Sequence, residues 1–343
     1  MKLGWRAALG FLLSAALLWW VLRDLPFAVV MGHVRAANVG LLVLSAVVAT
    51  CIFPLRAIRW RHILDPVAPG LPFRVLFPPV AIGIMVSNVV PGRLGELARP
   101  YALTRETTRV PFTAAVASVA VDRVFDAAIL LTLMFGAMLD PRFAPTATLF
   151  DKPIAAYAQR GLFAAGLLWL ALLVLVFFPA PFLRGARRAA AIVSPRFAER
   201  VHHWLESFVR GLSVLRSPGR FAAVLWWTLL HWLVNALSYW IAFKAFSMDA
   251  PFSAALFIQG VIAIGVSVPQ APGYWGGFEL LARASLAVYG VPEGVAYAWG
   301  FAYHFASFIP ITLIGAAYFG RLGMHFGELR TPPAAEPSGA RPS

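Results

Sequence analysis

Long apolar runs separated by short basic segments set the pattern of this chain. Runs near 4–22, 38–58, 113–139, 161–180, 221–243 and 293–319 approach or exceed the ~20 helical residues needed to cross a hydrocarbon core of ~30 Å. Six full spans are therefore expected. They should be helical, because a backbone in lipid has to satisfy its hydrogen bonds within its own segment. Two further apolar runs are interrupted. Residues 73–90, FRVLFPPVAIGIMVSNVV, contain Pro78 and Pro79 and end at Pro91-Gly92, and residues 252–290 are broken at PQAPGYWGG. Proline removes a backbone donor and kinks a helix, so each run is expected to form half-helices that enter and leave on one face. The first re-entrant hairpin is expected to enter from the cytoplasm and the second from outside.

The two interrupted runs share an order of residues. The first has Ala81-Ile82-Gly83, Val86-Ser87, Pro91-Gly92, Gly95, Glu96 and Ala98-Arg99. The second has Ala263-Ile264-Gly265, Val266-Ser267, Pro272-Gly273, Gly276-Gly277, Glu279 and Ala282-Arg283. Three full spans lie between them, an odd number, so the copies should have opposite orientations. That arrangement is an inverted-topology repeat, in which broken helices from both halves meet near the midplane around a substrate site. Small apolar residues are common in this chain, and chance agreement is the competing explanation.

Composition fixes the class. Hydrophobic residues make up 60% of the chain and charged ones 13%, and the mean hydropathy is +0.75, which excludes an ordinary soluble domain. A formal charge of +14 would suggest nucleic acid in a soluble protein. Here the positive-inside rule places it at the inner leaflet. With the N-terminus inside, Lys2, Arg6, Arg56, Arg59, Arg61, Arg74, Arg99, Arg105, Arg109, the basic stretch 184–220, Arg321 and Arg330 all fall on the cytoplasmic side. Only Arg23, Arg35, Arg142, Lys152, Arg160 and Lys244 fall opposite. The expectation is a multi-pass inner-membrane protein with both termini in the cytoplasm and its basic surface against anionic inner-leaflet lipids. Run 4–22 lacks a convincing small-residue cleavage site and reads as a retained anchor rather than a secretory signal. The single cysteine, Cys51, leaves no disulfide or cysteine metal site to build.

Charge inside the apolar runs is the candidate chemistry. Glu96 and Glu279 each follow a Pro-Gly break, and Asp122, Arg123 and Asp126 lie within one span. Asp122 and Asp126 are four apart and share a helix face, with Arg123 free to neutralise a carboxylate from another helix. Ionisable groups at membrane depth are costly and mark pathways or proton relays. The structural alternatives are a glutamate stabilised in the first turn of a helix and an ion cluster that only fixes packing. Arg93, Glu96, Asp122, Arg123 and Asp126 are expected to line one polar cavity.

The run Asn88, Pro91, Gly92, Arg93, Gly95, Glu96, Arg99, Tyr101, the D-R-x-x-D element at 122–126 and the late run Pro269, Pro272, Gly273, Gly276, Glu279 resemble the lysylphosphatidylglycerol synthase transmembrane-domain family. This is the flippase domain of multiple-peptide-resistance factors, which also has stand-alone relatives. The resemblance covers about residues 5–320 and implies that Arg93, Glu96 and Arg99 serve a cytoplasmic-side headgroup site, with Glu279 their counterpart. Fused members carry an aminoacyltransferase domain, which these 343 residues do not contain, so lysyl transfer is not implied. Tyr274-Trp275 is bulkier than the small residues expected between the second motif's glycines.

Residues 194–219 read as an amphipathic helix on the inner leaflet or against the protein's own cytoplasmic face, from Ser194-Pro195 to Ser217-Pro218-Gly219. His202 and His203 are adjacent and point to different sides, which suits no metal site. His231 and His304 read as packed, hydrogen-bonded histidines. The chain should form a single transmembrane domain over 1–320, with halves near 1–140 and 221–320 and a linker at 184–220. A disordered tail should occupy 321–343. No phosphate loop of the G-x-x-x-x-G-K-[ST] type and no H-E-x-x-H is present. The expected function is movement of an amphiphilic lipid, a phospholipid or lipid-linked cargo, between leaflets, without enzymatic activity and without a cofactor or metal. The alternatives are a lipid-modifying enzyme using Glu96 or Asp122 as base and a scaffold for a separate lipid-synthesis enzyme.

Overall fold

The computed structural model describes residues 27–90, 94–144, 148–149, 152–178, 217–266 and 272–330, with single positions between 184 and 199. The expected span 4–22, most of the linker helix including His202 and His203, and the tail beyond 330 lie outside the described residues. So do Pro91, Gly92, Arg93 and Pro269.

Helices dominate the described chain. They run α1 Phe27–Ala36, α2 Val39–Thr50, α3 Ile52–Leu64, α4 Phe73–Val89, α5 Gly95–Glu106, α6 Phe112–Ala137 and α7 Ala155–Phe177 in the first half. The second half contributes α8 Pro218–Ala245, α9 Phe252–Gly265, a 3-10 turn at Pro272–Tyr274, α10 Gly277–Ala287 and α11 Glu293–Arg321. The only extended pairing among the described residues joins Thr148–Leu149 to Lys152–Pro153.

Three helical segments are long and apolar enough to cross a membrane: Val39–Leu64, Pro218–Ala245 and Glu293–Arg321. They correspond to the expected spans at 38–58, 221–243 and 293–319. Helix α6 matches run 113–139 in length, but its central charges dilute the apolar stretch, and the apolar part of α7 is Gln159–Val174. On α2, Val39, Val43 and Val47 recur every fourth residue and are exposed, while Ser45 and Ala49 are buried. A helix with its valines outward and its serine inward suits an apolar solvent and would be inverted in water.

Burial along α3 follows the helical period. Phe53, Arg56, Ala57, Trp60 and Leu64 all face the core, and two of the polar side chains among the core positions, Arg56 and Arg59, are buried with them. The first core gathers Trp60, Leu76 and Phe125 from α3, α4 and α6. A second gathers Phe243, Phe278 and Trp299 from α8, α10 and α11. Helix α4 lies between the halves, packed on both α5 and α11.

Two expectations change. Helix α4 continues through Pro78 and Pro79, and its break falls only after Val89. Both prolines sit within the first two turns, so the missing donors cost only the carbonyls of Arg74 and Val75, and the rings are buried against neighbours. The tail is also ordered further than expected. A 3-10 turn forms at Glu328–Arg330, Leu329 is buried, and Glu328 Oε2 pairs with Arg105 at 2.8 Å on the end of α5.

Candidate functional site

The chain doubles back twice around a break, once between α4 and α5 and once between α9 and α10. In the first turn-back the helices meet backbone to backbone. A Cβ on Gly95 would collide with the carbonyl oxygen of Gly83 and the hydroxyl of Ser87, and one on Gly83 would lie 2.8 Å from Arg99 Cβ. Only glycine allows that approach, which brings Glu96 and Arg99 against α4 and α6. In the second turn-back, Gly273 (φ 74°), Tyr274 (φ 59°) and Gly276 (φ 82°) hold left-handed backbone. Glu279 Oε2 accepts from the Gly276 N–H at 2.7 Å, closing the start of α10.

A cavity of about 570 Å³ opens between these turn-backs. Its polar lining is Arg56 from α3, Ser87 and Asn88 from α4, Glu96 and Arg99 from α5, Arg123 and Asp126 from α6, Trp232 from α8 and Tyr274 from the 3-10 turn. Arg123 Nε lies 3.2 Å from Glu96 Oε2, and its Nη1 lies 3.4 Å from Asp126 Oδ2; both Glu96 and Arg123 are about a third exposed. Asn88 Nδ2 donates to Thr312 Oγ1 at 3.1 Å, tying α4 to α11 at the rim.

Arg56, Arg99 and Asp126 of the lining belong to a buried ion network that continues beneath it to Arg59 and Asp122, which are wholly enclosed. Arg59, wholly buried, reaches Asp122 Oδ1 at 2.6 Å and Asp126 Oδ1 at 2.6 Å, and donates to Thr228 Oγ1 at 3.3 Å. Arg99 Nη1 donates to Asp122 Oδ2 at 2.6 Å, and its guanidinium stacks on Trp60 at 3.9 Å. Arg56 Nη2 donates to Asp126 Oδ2 at 3.0 Å, and Trp232 Nε1 donates to Asp126 Oδ1 at 3.0 Å. Buried charges persist only when paired this densely. Four arginines face three carboxylates, a formal surplus of +1. The Nε and Nη2 of Arg99 have no hydrogen-bond partner.

The structure therefore brings Asn88, Gly95, Glu96, Arg99, Arg123 and Asp126 to one cavity and places Asp122 in the network below it. Arg56 and Arg59, counted from sequence as cytoplasmic-side charge, belong to this network instead. They end an apolar run like loop residues, and their partners lie about 70 residues away on another helix. Tyr101 faces away, donating to Glu328 Oε2 at 3.0 Å. Gly273, Gly276 and Gly277 shape the second turn-back with Pro272 and do not line the cavity. Glu279 is sealed behind them, its Oε1 2.7 Å from His304 Nδ1. His231 is buried on Trp232, 3.9 Å from Asp126; neither ring nitrogen has a hydrogen-bond partner, so the expected hydrogen bond is absent there and present at His304. Among the described residues no cluster of three or more His, Cys, Asp or Glu suited to a metal occurs.

Residues 7–315 match the family described as the lysylphosphatidylglycerol synthase TM region. The chain is also similar to three UPF0104 membrane proteins of Methanothermobacter thermautotrophicus, each 25% identical. One alignment covers 96% of this chain and 97% of the relative, and another 91% and 93%. No solved structure matches. With nine-tenths of its length matched, the chain is a membrane protein of the lysylphosphatidylglycerol synthase TM region family.

Proposed function

We propose that the protein moves an amphiphilic lipid between leaflets, passing the headgroup through the cavity between its two turn-backs while the tails stay in the bilayer. The observation that carries this reading is the exposed Glu96–Arg123 pair above a buried arginine-rich network, at a helix break inside an apolar fold. Arginine presents a planar fork suited to a phosphodiester, and a carboxylate beside it receives a cationic headgroup. Moving Arg123 from Glu96 and Asp126 to a lipid phosphate would leave Asp126 its bonds from Arg56, Arg59 and Trp232.

The accompanying topology is six spans with the two turn-backs as re-entrant hairpins of an inverted repeat, set in the inner membrane with both termini cytoplasmic. The basic face then meets anionic inner-leaflet lipids. Helix, break and helix recur in the same order in both halves, which supports the repeat. The enzymatic alternative is disfavoured by the pairing itself. Asp122 and Asp126 each hold two or more donors and Glu96 holds Arg123, so none is a free general base.

The test is reconstitution in liposomes with a fluorescent phosphatidylglycerol, followed by chemical quenching of the outer leaflet and mass analysis of the recovered lipids. Quenching well beyond half with unchanged lipid masses is expected. Quenching that stops at half, with new lipid species, would replace transport with catalysis.

A further inference from the structure

The cavity between the turn-backs holds more donors than its own acceptors satisfy. Three arginines, Arg56, Arg99 and Arg123, and two carboxylates, Glu96 and Asp126, line it, a formal charge of +1 among the described residues. Hydrogen bonding is unbalanced in the same sense. The buried side-chain atoms of the lining that lack a hydrogen-bond partner are Arg56 Nε, Arg99 Nε, Arg99 Nη2 and Arg123 Nε. All are arginine donors, and no carboxylate oxygen of the lining is among them. Arg123 Nε lies 3.2 Å from Glu96 Oε2, near enough for an ion pair yet not aligned for a hydrogen bond. Arg99 is buried with Trp60 across its guanidinium at 3.9 Å, which cuts its two unpartnered nitrogens off from bulk water. Charged donors left in that state are costly.

The lining therefore lacks one negative charge carried on several acceptor oxygens. A phosphodiester supplies both. Its single charge brings the sum for the lining to zero, and its two unbridged oxygens suit the planar arginine fork. An ammonium on the same headgroup works against this. It can reach Glu96 only by replacing Arg123 there, and the positive surplus of the lining then stays uncompensated. Phosphatidylethanolamine, neutral overall, would leave that surplus as it is. Lysylphosphatidylglycerol, with two ammoniums and one phosphate, would enlarge it.

We infer that the cavity selects lipids by headgroup charge: it takes a phosphodiester headgroup without an ammonium, such as that of phosphatidylglycerol, in preference to zwitterionic and aminoacylated headgroups, and the unpartnered arginine donors make the choice. This rests on the transport reading for a lipid as the occupant and names the headgroup class for the same cavity. The preference itself is a binding property and is measurable without transport.

The probes are short-chain phosphatidylglycerol, phosphatidylethanolamine and lysylphosphatidylglycerol, and inorganic phosphate. Each is titrated into the intact protein in a non-ionic detergent while the thermal midpoint is followed, since a ligand that binds the folded state raises it. In wild type, phosphatidylglycerol should bind at least about tenfold more tightly than either ammonium-bearing lipid, the effect of one charged hydrogen bond gained or lost. Two variants should move this preference in opposite directions. Arg123→Gln removes the surplus and should bring the three affinities together, whereas Glu96→Gln enlarges it and should widen the gap; a merely structural role would shift both variants the same way. Equal affinities in wild type, or tighter binding of an ammonium-bearing lipid, overturn the inference and leave transport to be decided by leaflet quenching. Inorganic phosphate that stabilises as strongly as phosphatidylglycerol and displaces it overturns the lipid headgroup as the selected ligand. A preference for phosphatidylglycerol with no leaflet movement in liposomes keeps the inference and overturns the transport reading.

Discussion

The two turn-backs begin with the same residues and treat their glutamates in opposite ways. After the first break Glu96 sits in the open, a third exposed, against Arg123 at the cavity edge. After the second, Glu279 is wholly buried and paired with His304. The arginine that follows each acid is reversed as well. Arg99 is buried on Asp122 and Trp60, while Arg283 is half-exposed on Glu293. A shared sequence order therefore builds two different devices, one suited to contacting a ligand and one suited to holding a turn, and the neighbouring helix decides which. Helix α6 offers charge to the first hairpin, and α11 offers a histidine and aromatic rings to the second.

Removing the charge that only the first half needs should have the largest effect on this contrast. Asp122→Ala leaves Arg59 and Arg99 without a shared counter-ion in a sealed site and should cost about 3–5 kcal/mol. Denaturant unfolding in detergent checks it. Glu279→Gln, which keeps the shape and a carbonyl for Gly276, should cost only about 1 kcal/mol by the same measurement.

Glycine substitution separates the hairpins next. Gly95→Ala drives a Cβ into the Gly83 carbonyl and Ser87, where backbone cannot retreat, and should destabilise by about 1–3 kcal/mol. Gly265→Ala meets the end of the Leu281 side chain, which can rotate away. It should shift the thermal midpoint by much less, and equal shifts would mean that the two hairpins are packed alike.

Smaller effects belong to the ends. Arg105→Ala removes a half-exposed pair with Glu328 and should cost under about 1 kcal/mol, less at high salt; its clearer readout is faster proteolysis of the tail. Asp140, beyond the end of α6, accepts from Ser253 Oγ at 2.6 Å and from Arg142 N–H at 2.8 Å, and these bonds hold its carboxyl below the usual carboxylate range. A lowered folded value means a contribution present above the usual range and lost as pH falls through the lowered one. Ser253→Ala should lower the thermal midpoint at neutral pH, where that contribution is present, and leave it little changed well below the lowered value, so that the acid dependence flattens.

The breaks, the helices and the two glutamates were legible in the sequence because proline, glycine and apolar period act locally. The α4 continuation through Pro78 and Pro79 was not, since tolerance of a lost donor depends on where in the helix it falls and on what packs over the ring. The burial of Arg56 and Arg59 was not legible either. Nothing in IFPLRAIRWRHIL distinguishes an arginine at a membrane surface from one pointed at Asp126 from another helix. The acids at 122 and 126 and the histidine at 304 were visible as intramembrane polar residues, yet the partner of each is fixed by tertiary packing over tens of residues. The differing fates of Glu96 and Glu279 arise from the same cause.

Passage of a lipid headgroup along the exposed pair is decided by outer-leaflet quenching of fluorescent phosphatidylglycerol in liposomes holding wild type, Glu96→Gln or Arg123→Gln, each confirmed folded by its unfolding curve. If the headgroup takes that route, wild type will quench well beyond half and both variants will stop near half. Translocation at the wild-type rate in both variants would contradict it and remove the cavity between the turn-backs from the path.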